Sequence, residues 1–333
     1  MISDHSLAEA LSNKYLQLIL LPTEKCNFRC TYCYEDFAIG KMKRQTIDGV
    51  KALIANRVPE LSRFSLTWFG GEPLLARDVV FEIGSFARDI CNQHSVAFDA
   101  GLTTNSYELS PQIFSQLLDI GHTDYQITLD GDEEWHDKTR VLANSQGTFA
   151  KIWHNLTMYR QEKQHFSITL RLHVHRENIE SVRRLYGRLK SDLLTDSRFV
   201  AFFHKVSNLS GEKGIPQSEL DSTEYAAALK YITDSADIQK EISADVTLTD
   251  YICYAARPNS ILIRADGRIG KCTVALNDPR NDVGTLLSDG AMDIKNDKIR
   301  AWFEGYRDMS ETTLACPLST LPKSDNLIQL RGI

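Results

Sequence analysis

The chain lacks three things that would place it in a whole class of proteins. It has no block of Lys or Arg; its 38 basic and 44 acidic residues sum to a formal charge of −6, which argues against a phosphate-backbone partner. No run of about 18 apolar residues occurs, so no membrane-spanning helix is expected. The opening Met1-Ile2-Ser3-Asp4-His5-Ser6 has neither a basic nor an apolar signal region, so the protein is expected in the cytoplasm, without nucleic-acid or membrane partners. Internal repeats and low-complexity tracts are also missing. The seven cysteines are odd in number, and without a secretion signal they suit metal ligation better than a disulfide framework.

What is present begins with those cysteines. Cys26, Cys30 and Cys33 are spaced CxxxCxxC directly after the apolar run Leu16–Pro22, which reads as a strand, so the thiols sit on the loop at its C-terminal end. Three thiolates on one short loop can hold three corners of a [4Fe-4S] cluster and leave the fourth iron open. The plainer readings are structural zinc or disulfides, but zinc sites favour paired CxxC knuckles, and no such partner lies nearby.

With 333 residues the chain is long enough for one large domain or two. Strand-like runs at Leu16–Leu21, Phe64–Phe69, Phe98–Thr104, Asp124–Leu129, Phe166–Val174 and Phe199–Val206 alternate with helical stretches. The helices are expected near Gln45–Ala55, Val79–Cys91, Pro111–Ile120, Phe149–Gln164 and Asn178–Lys190, and after a polar break at Asn208–Pro216 over Ser218–Ser235. Such alternation predicts an α/β fold of parallel βαβ units, a partial (β/α)6 version of the TIM barrel, with chemistry gathered at the strands' C-terminal ends. Beyond it, two β-like runs around Asp266-Gly267 predict a hairpin in a small C-terminal extension. The division is expected at 1–240 and 241–333.

Gly70-Gly71-Glu72 ends the second strand, where two residues without side chains let backbone approach a ligand closely. Together with the CxxxCxxC loop some forty residues earlier and Tyr34 after its third cysteine, this resembles the radical S-adenosylmethionine (SAM) superfamily. The resemblance implies that Cys26, Cys30 and Cys33 hold a [4Fe-4S] cluster and that Gly70, Gly71 and Glu72 hold the amino group of SAM. Thr104 and Asn105, after strand three, would face the ribose. Thr128-Leu129-Asp130-Gly131, followed by His136-Asp137 and Arg140, is similar to the S-L-D-G…H-D-x-x-R stretch of peptide-modifying members. It places Thr128, Asp130 and Arg140 at SAM, with Tyr32 against adenine. Arg140 read alone is an ordinary surface ion-pair partner.

The pattern Cys253-x13-Gly267-x4-Cys272, with Cys316 beyond, looks like a SPASM or twitch extension. That resemblance implies at most one auxiliary iron–sulfur cluster on Cys253, Cys272 and Cys316. Its fourth ligand is left open between a non-cysteine side chain, Cys91 and the substrate. Cys91 is expected in the core of its helix, as free cysteine behaves like a small hydrophobe. His173 and His175 read as polar lining of strand five, and Glu35 and Asp36 as solvated loop carboxylates.

The activity implied is reductive cleavage of SAM, with an electron from flavodoxin or ferredoxin, to a 5′-deoxyadenosyl radical that takes a hydrogen atom from substrate. Phe69-Gly70-Gly71-Glu72-Pro73-Leu74-Leu75 looks most like peptide-modifying enzymes. The expected reaction is therefore a cross-link, thioether or epimerisation in a ribosomally made natural-product precursor. Sulfatase maturation is a weaker reading, because Thr273 stands where that group carries an aspartate after the hairpin cysteine, and three extension cysteines stand for seven. A small-molecule dehydrogenase of antibiotic or cofactor biosynthesis and a non-catalytic metal scaffold are also compatible with the cysteine pattern. Fewer than about twenty residues precede the first strand, too few for a winged-helix leader-binding domain. Any leader is expected on the barrel, the extension or a separate protein.

Overall fold

The computed structural model describes residues 2–206, 219–234 and 250–322. The break at Asn208–Pro216, both ends of the helix expected over Ser218–Ser235, and the boundary at 240/241 lie outside the described residues.

In chain order the elements begin with α1 (Asp4–Leu11), β1 (Tyr15–Leu20), β2 (Phe28–Cys30), α2 (Arg44–Arg57), β3 (Arg63–Trp68), α3 (Arg77–Gln93) and β4 (Ala97–Thr104). They continue with α4 (Pro111–Asp119), β5 (His122–Leu129), α5 (Glu133–Thr139), β6 (Arg140–Leu142), α6 (Phe149–Tyr159), β7 (Ser167–Val174), α7 (Ile179–Asp192), β8 (Phe199–Lys205) and α8 (Ser222–Thr233). The C-terminal strands are β9 (Ser260–Ile263), β10 (Arg268–Gly270), β11 (Gly284–Leu286) and β12 (Met292–Ile294). Local chemistry sets several helix starts. Ser110 caps α4 ahead of Pro111, and Asp221 with Glu224 forms a capping box on α8.

The six expected strands are β1, β3, β4, β5, β7 and β8, adjacent in that order and all parallel. This is the α/β partial barrel that the alternation predicts. The hairpin around Gly267 forms as β9 and β10, antiparallel. The extension does more than the sequence suggests, because β9 pairs parallel with β1 and β10 to β12 follow, giving one sheet of ten strands. Pairing with β9 removes the open edge that β1 would otherwise expose. Short elements that the periodicity does not predict include α1, α5, β11, β12 and a two-stranded ribbon in which β2 pairs antiparallel with β6.

One sheet face is apolar and joins the helices in a single core containing Leu18, Leu66, Trp68, Ile127, Leu170, Val80 and Leu117. The other face is polar. Along β7, buried residues alternate with half-exposed Ser167, Thr169, Arg171 and His173. Parallel strands are usually apolar on both faces, and the departure marks a wetted interior. A cavity of about 300 Å³ lies there, lined by Ser65, Thr67, Asp99, Thr103, Gln126 and Thr169 among others. No helix among the described residues is long and apolar enough to cross a membrane.

The extension is tied to the barrel by a buried ion pair. Arg264, just after β9, donates from Nε to Glu24 Oε1 (2.9 Å) and from Nη2 to Glu24 Oε2 (2.5 Å), and both side chains are at most 4% exposed. A third guanidinium bond goes to the Leu276 carbonyl. Arg264→Met should leave a buried, uncompensated carboxylate and cost about 3–5 kcal/mol in urea unfolding, whereas Glu24→Leu/Arg264→Met together should recover most of that loss. A single variant as stable as wild type would show that the pair does not hold the two parts together.

Candidate functional site

The chain leaves β1 in a loop whose course is fixed by backbone contacts. The Met42 N–H donates to the Pro22 carbonyl (2.8 Å), and the Glu72 N–H donates to the Lys25 carbonyl (3.0 Å). Cys26, Cys30 and Cys33 follow, partly buried, and line one cavity of about 150 Å³ with Gly70, Gly71, Tyr32, Thr104, Asn105, Thr128 and Arg140. Every residue expected at the first cluster and at SAM borders this cavity except Glu72 and Asp130. Burial pushes the Cys26 thiol up to about 12 and the Cys33 thiol up to about 11, and raises Cys30 as well. Thiolates are therefore unfavourable on this loop unless a metal takes them.

The two glycines serve a close approach within the chain itself. A Cβ on Gly70, whose φ is +100°, would meet the Thr23 carbonyl oxygen at 2.6 Å, and one on Gly71 would meet the Lys25 oxygen at 2.5 Å. Side chains here would push the cysteine loop off its seat. Glu72 is fully buried and turned away from the cavity. Its carboxyl accepts from Leu74 N–H (3.0 Å), Thr104 Oγ1 (2.9 and 3.0 Å) and Asn105 N–H (2.8 Å). Desolvation raises it to about 7 against these bonds. Glu72 thus fixes the β4 terminus, from which Asn105 Nδ2 donates to Asn27 Oδ1 (2.8 Å) inside the cysteine loop.

Arg140 is carried to the cavity by the β2–β6 ribbon, in which it pairs directly with Cys30. It is no surface residue. Its Nη1 donates to Tyr32 Oη (2.8 Å), Tyr32 Oη donates to Asp130 Oδ1 (2.8 Å), and Thr139 Oγ1 donates to Asp130 Oδ2 (2.7 Å). His173 Nδ1 lies 3.2 Å from Asp130 Oδ1, and its ring meets Tyr32 edge-on. Burial alone would raise the Asp130 carboxyl, but the His173 hydrogen bond and the Arg140 charge outweigh it and hold it well below the usual carboxylate range. His173 belongs to this network, a role that period-two alternation could not reveal. His175 does not; it lies past the strand end against Trp135, with ring centroids 5.5 Å apart.

Glu35 departs from the expected solvated carboxylate. It lines the cavity, its Oε2 is buried without a partner among the described residues, and burial with the nearby Glu24 raises it to about 8. Asp36 is exposed as expected and accepts from Asn277 Nδ2 (3.0 Å).

In the extension Cys253 is partly buried, Cys272 buried and Cys316 exposed. Burial raises the Cys253 and Cys272 thiols, with smaller contributions from the charge of Cys316 on Cys253 and of Cys253 on Cys272. Burial, and after it Glu35, raises the Tyr34 hydroxyl well above its ordinary range, with smaller contributions from Tyr254, Cys33 and Cys272. Cys91 is buried within α3 and affected by Asp99, so it stays in the core and is no partner for the extension thiols. Among the described residues no three His, Cys, Asp or Glu side chains converge on a single metal ion.

The residues fit an iron–sulfur cluster with a ligand beside it. Three soft thiols border one cavity, and Arg140 Nε, a buried donor at its wall, has no partner among the described residues. Such a donor suits a ligand bearing acceptor oxygens.

A family model described as the radical SAM superfamily matches residues 20–189. The cysteine-type anaerobic sulfatase-maturating enzyme of Clostridium novyi is 24% identical over 231 residues, covering 66% of this chain and 59% of that enzyme. The chain therefore spans less than two thirds of that relative. Among solved structures, anSMEcpe with bound AdoMet and a Cp18Cys peptide is similar at 19% identity and a TM-score of 0.66, covering 90% of this chain and 88% of that one. Streptococcus suis SuiB bound to precursor peptide SuiA is similar at 14% identity and a TM-score of 0.60, covering 98% and 75%.

The Asp130 network gives a pH-dependent expectation. A carboxyl depressed in the folded state stabilises fully above its unfolded value, near 4, and loses that contribution as the pH falls through the folded value. Asp130→Asn should cost about 2–3 kcal/mol at pH 7, and the gap from wild type should narrow below about pH 4. Denaturant melts at several pH values check this, and a gap that widens on acidification would refute the assignment.

Proposed function

Because this chain belongs to the radical SAM superfamily, we propose that it modifies a peptide, installing a cross-link, thioether or epimerised centre in a ribosomally made natural-product precursor. The observation that carries the reading is the shared cavity of Cys26, Cys30, Cys33, Gly70, Gly71, Thr128 and Arg140 at the C-terminal ends of parallel strands. The peptide substrate is supported by the two peptide-bound structures above.

When bound, the cluster and SAM supply hydrogen-atom abstraction. Cys26, Cys30 and Cys33 hold the cluster, and the Gly70-Gly71 backbone with Thr104, Asn105 and Thr128 surrounds SAM. Arg140 would offer a guanidinium N–H to a SAM oxygen. Tyr32 presents its ring to adenine while its hydroxyl stays with Arg140 and Asp130. In this reading Glu72 and Asp130 are positioning residues, acting through Thr104 and Asn105 and through Tyr32 and Arg140. Thr103 borders both the cluster cavity and the polar interior, so the two lie on either side of one residue of β4. The barrel of residues 1–240 does this work. The extension of 241–333 holds one auxiliary cluster on Cys253, Cys272 and Cys316. A cytoplasmic flavodoxin or ferredoxin supplies the electron, and a separate protein is a suitable carrier for the leader.

Sulfatase maturation is disfavoured at the hairpin. Thr273 is neutral and tied to Tyr254, whose hydroxyl accepts from Thr273 N–H (2.9 Å) and lies 2.8 Å from Thr273 Oγ1. No carboxylate stands there to take a proton.

Anaerobic reconstitution tests the proposal. About eight irons per chain and 5′-deoxyadenosine after dithionite are expected, with about four irons and no SAM cleavage in the Cys26/Cys30/Cys33 triple alanine variant. Cys272→Ala should retain SAM cleavage and form no product. Full turnover by that variant would remove the auxiliary cluster, and absence of 5′-deoxyadenosine from wild type would end the catalytic reading.

A further inference from the structure

Phe37 borders the cysteine cavity and is itself partly exposed, held between two exposed cations. Lys25 Nζ donates to the Phe37 carbonyl (2.5 Å), and the Arg29 guanidinium lies over the Phe37 ring, 4.9 Å from its centroid. The Phe37 φ is +56°, a left-handed value that a bulky aromatic residue keeps only where its surroundings compel it. Arg29 is anchored in turn, its Nη1 donating to the carbonyls of Cys26 (2.8 Å) and Phe28 (2.6 Å). Lys25 immediately precedes Cys26 and Arg29 immediately precedes Cys30, so exposed cations flank two of the partly buried thiols.

Further cations gather beside them. A bridge between Thr23 and Lys41 brings exposed Lys41 and Lys43 alongside the loop, and Lys41 pairs with Asp78, next to exposed Arg77. These five cations share the rim with two exposed carboxylates, Asp36 and Asp78, in a chain whose formal charge is −6. A positive face on a net-negative protein steers and orients a partner of opposite sign. The cations are spread around an aromatic centre and do not converge on one point, which suits a protein face better than a small anion. We propose that this rim is the docking surface for the electron donor, an acidic one-electron carrier of the flavodoxin kind. Its carboxylates meet Lys25, Arg29 and Arg77, and its redox group lies against Phe37, the side chain shared by the rim and the cavity. The inference rests on the cluster reading above and is independent of the substrate.

The test is anaerobic stopped-flow reduction of the reconstituted full chain, followed by the cluster's visible absorbance. Flavodoxin hydroquinone is one donor, and photoreduced deazaflavin, a small molecule that needs no docking face, is the other. Lys25→Glu/Arg29→Glu should slow reduction by flavodoxin about tenfold at low ionic strength, with the gap closing as salt is raised. Its iron content and its reduction by deazaflavin should match wild type. Lys163→Glu/Lys230→Glu makes the same change in net charge at exposed positions after α6 and on α8, and should leave both rates unchanged. Lys43→Glu/Arg77→Glu supplies the measurement if the first variant loses iron. An unchanged flavodoxin rate, an equal loss in the distant pair, or a wild-type cluster that deazaflavin reduces and flavodoxin does not would overturn the surface alone. A wild type that assembles no cluster overturns the cluster reading and this inference with it, and its iron content tells that case apart.

Discussion

Everything the cysteine loop can do depends on a stretch of chain with a single three-residue strand being held still, and the buried Glu24–Arg264 pair is the contact that holds it from the far side. The loop is approached from three directions. Gly70 and Gly71 press on its backbone from β3, the β2–β6 ribbon grips its middle, and Arg264 reaches Glu24 from the extension. Two of these grips are hydrogen-bonded backbone or steric contacts, which tolerate small shifts. The ion pair does not, because a buried carboxylate that loses its cation keeps its desolvation cost. Extension and barrel are therefore coupled at the residue two positions before Cys26, and a displaced hairpin would be felt at the thiols before it was felt in the core.

The same logic organises the opposite wall. Asp130 gathers Tyr32, Thr139 and His173, while Tyr32 hands the charge of Arg140 back to Asp130. A lone buried guanidinium would be costly and would move to find a partner. With its Nη1 engaged by Tyr32, Arg140 has its guanidinium plane held by the network, so its remaining N–H groups are fixed in direction. Rigid placement of a guanidinium with N–H groups to spare is what a site needs to orient a ligand.

How much of this was legible in the sequence follows from the range of each signal. The six parallel strands and the β9–β10 hairpin could be read because periodicity and turn residues act over neighbouring positions. The thiol loop, Gly70-Gly71, Thr128 and Arg140 were legible as motifs, and they meet at one cavity. The β2–β6 ribbon was not, since its strands have three residues each and are held by pairing across more than a hundred positions. Glu24 and Arg264, which are 240 residues apart, were invisible for the same reason. Glu35 was misjudged because a carboxylate beside Asp36 on a loop reads as solvated, and only the fold shows the loop turning Glu35 inward and Asp36 outward. Glu72 and Asp130 were placed at the ligand by motif, whereas both are one bond removed from the cavity.

That displacement has a general reason. A motif records which residues must be present together, and a buried carboxylate that orients a ligand-contacting neighbour is as necessary as the neighbour itself. In this chain the carboxylates saturated by protein donors, Glu72 and Asp130, lie behind the wall, and the groups with unspent bonding capacity, Arg140 Nε and Glu35 Oε2, lie on it. Sorting site residues by what remains unpaired, rather than by motif membership, separates those that touch a ligand from those that aim the touch.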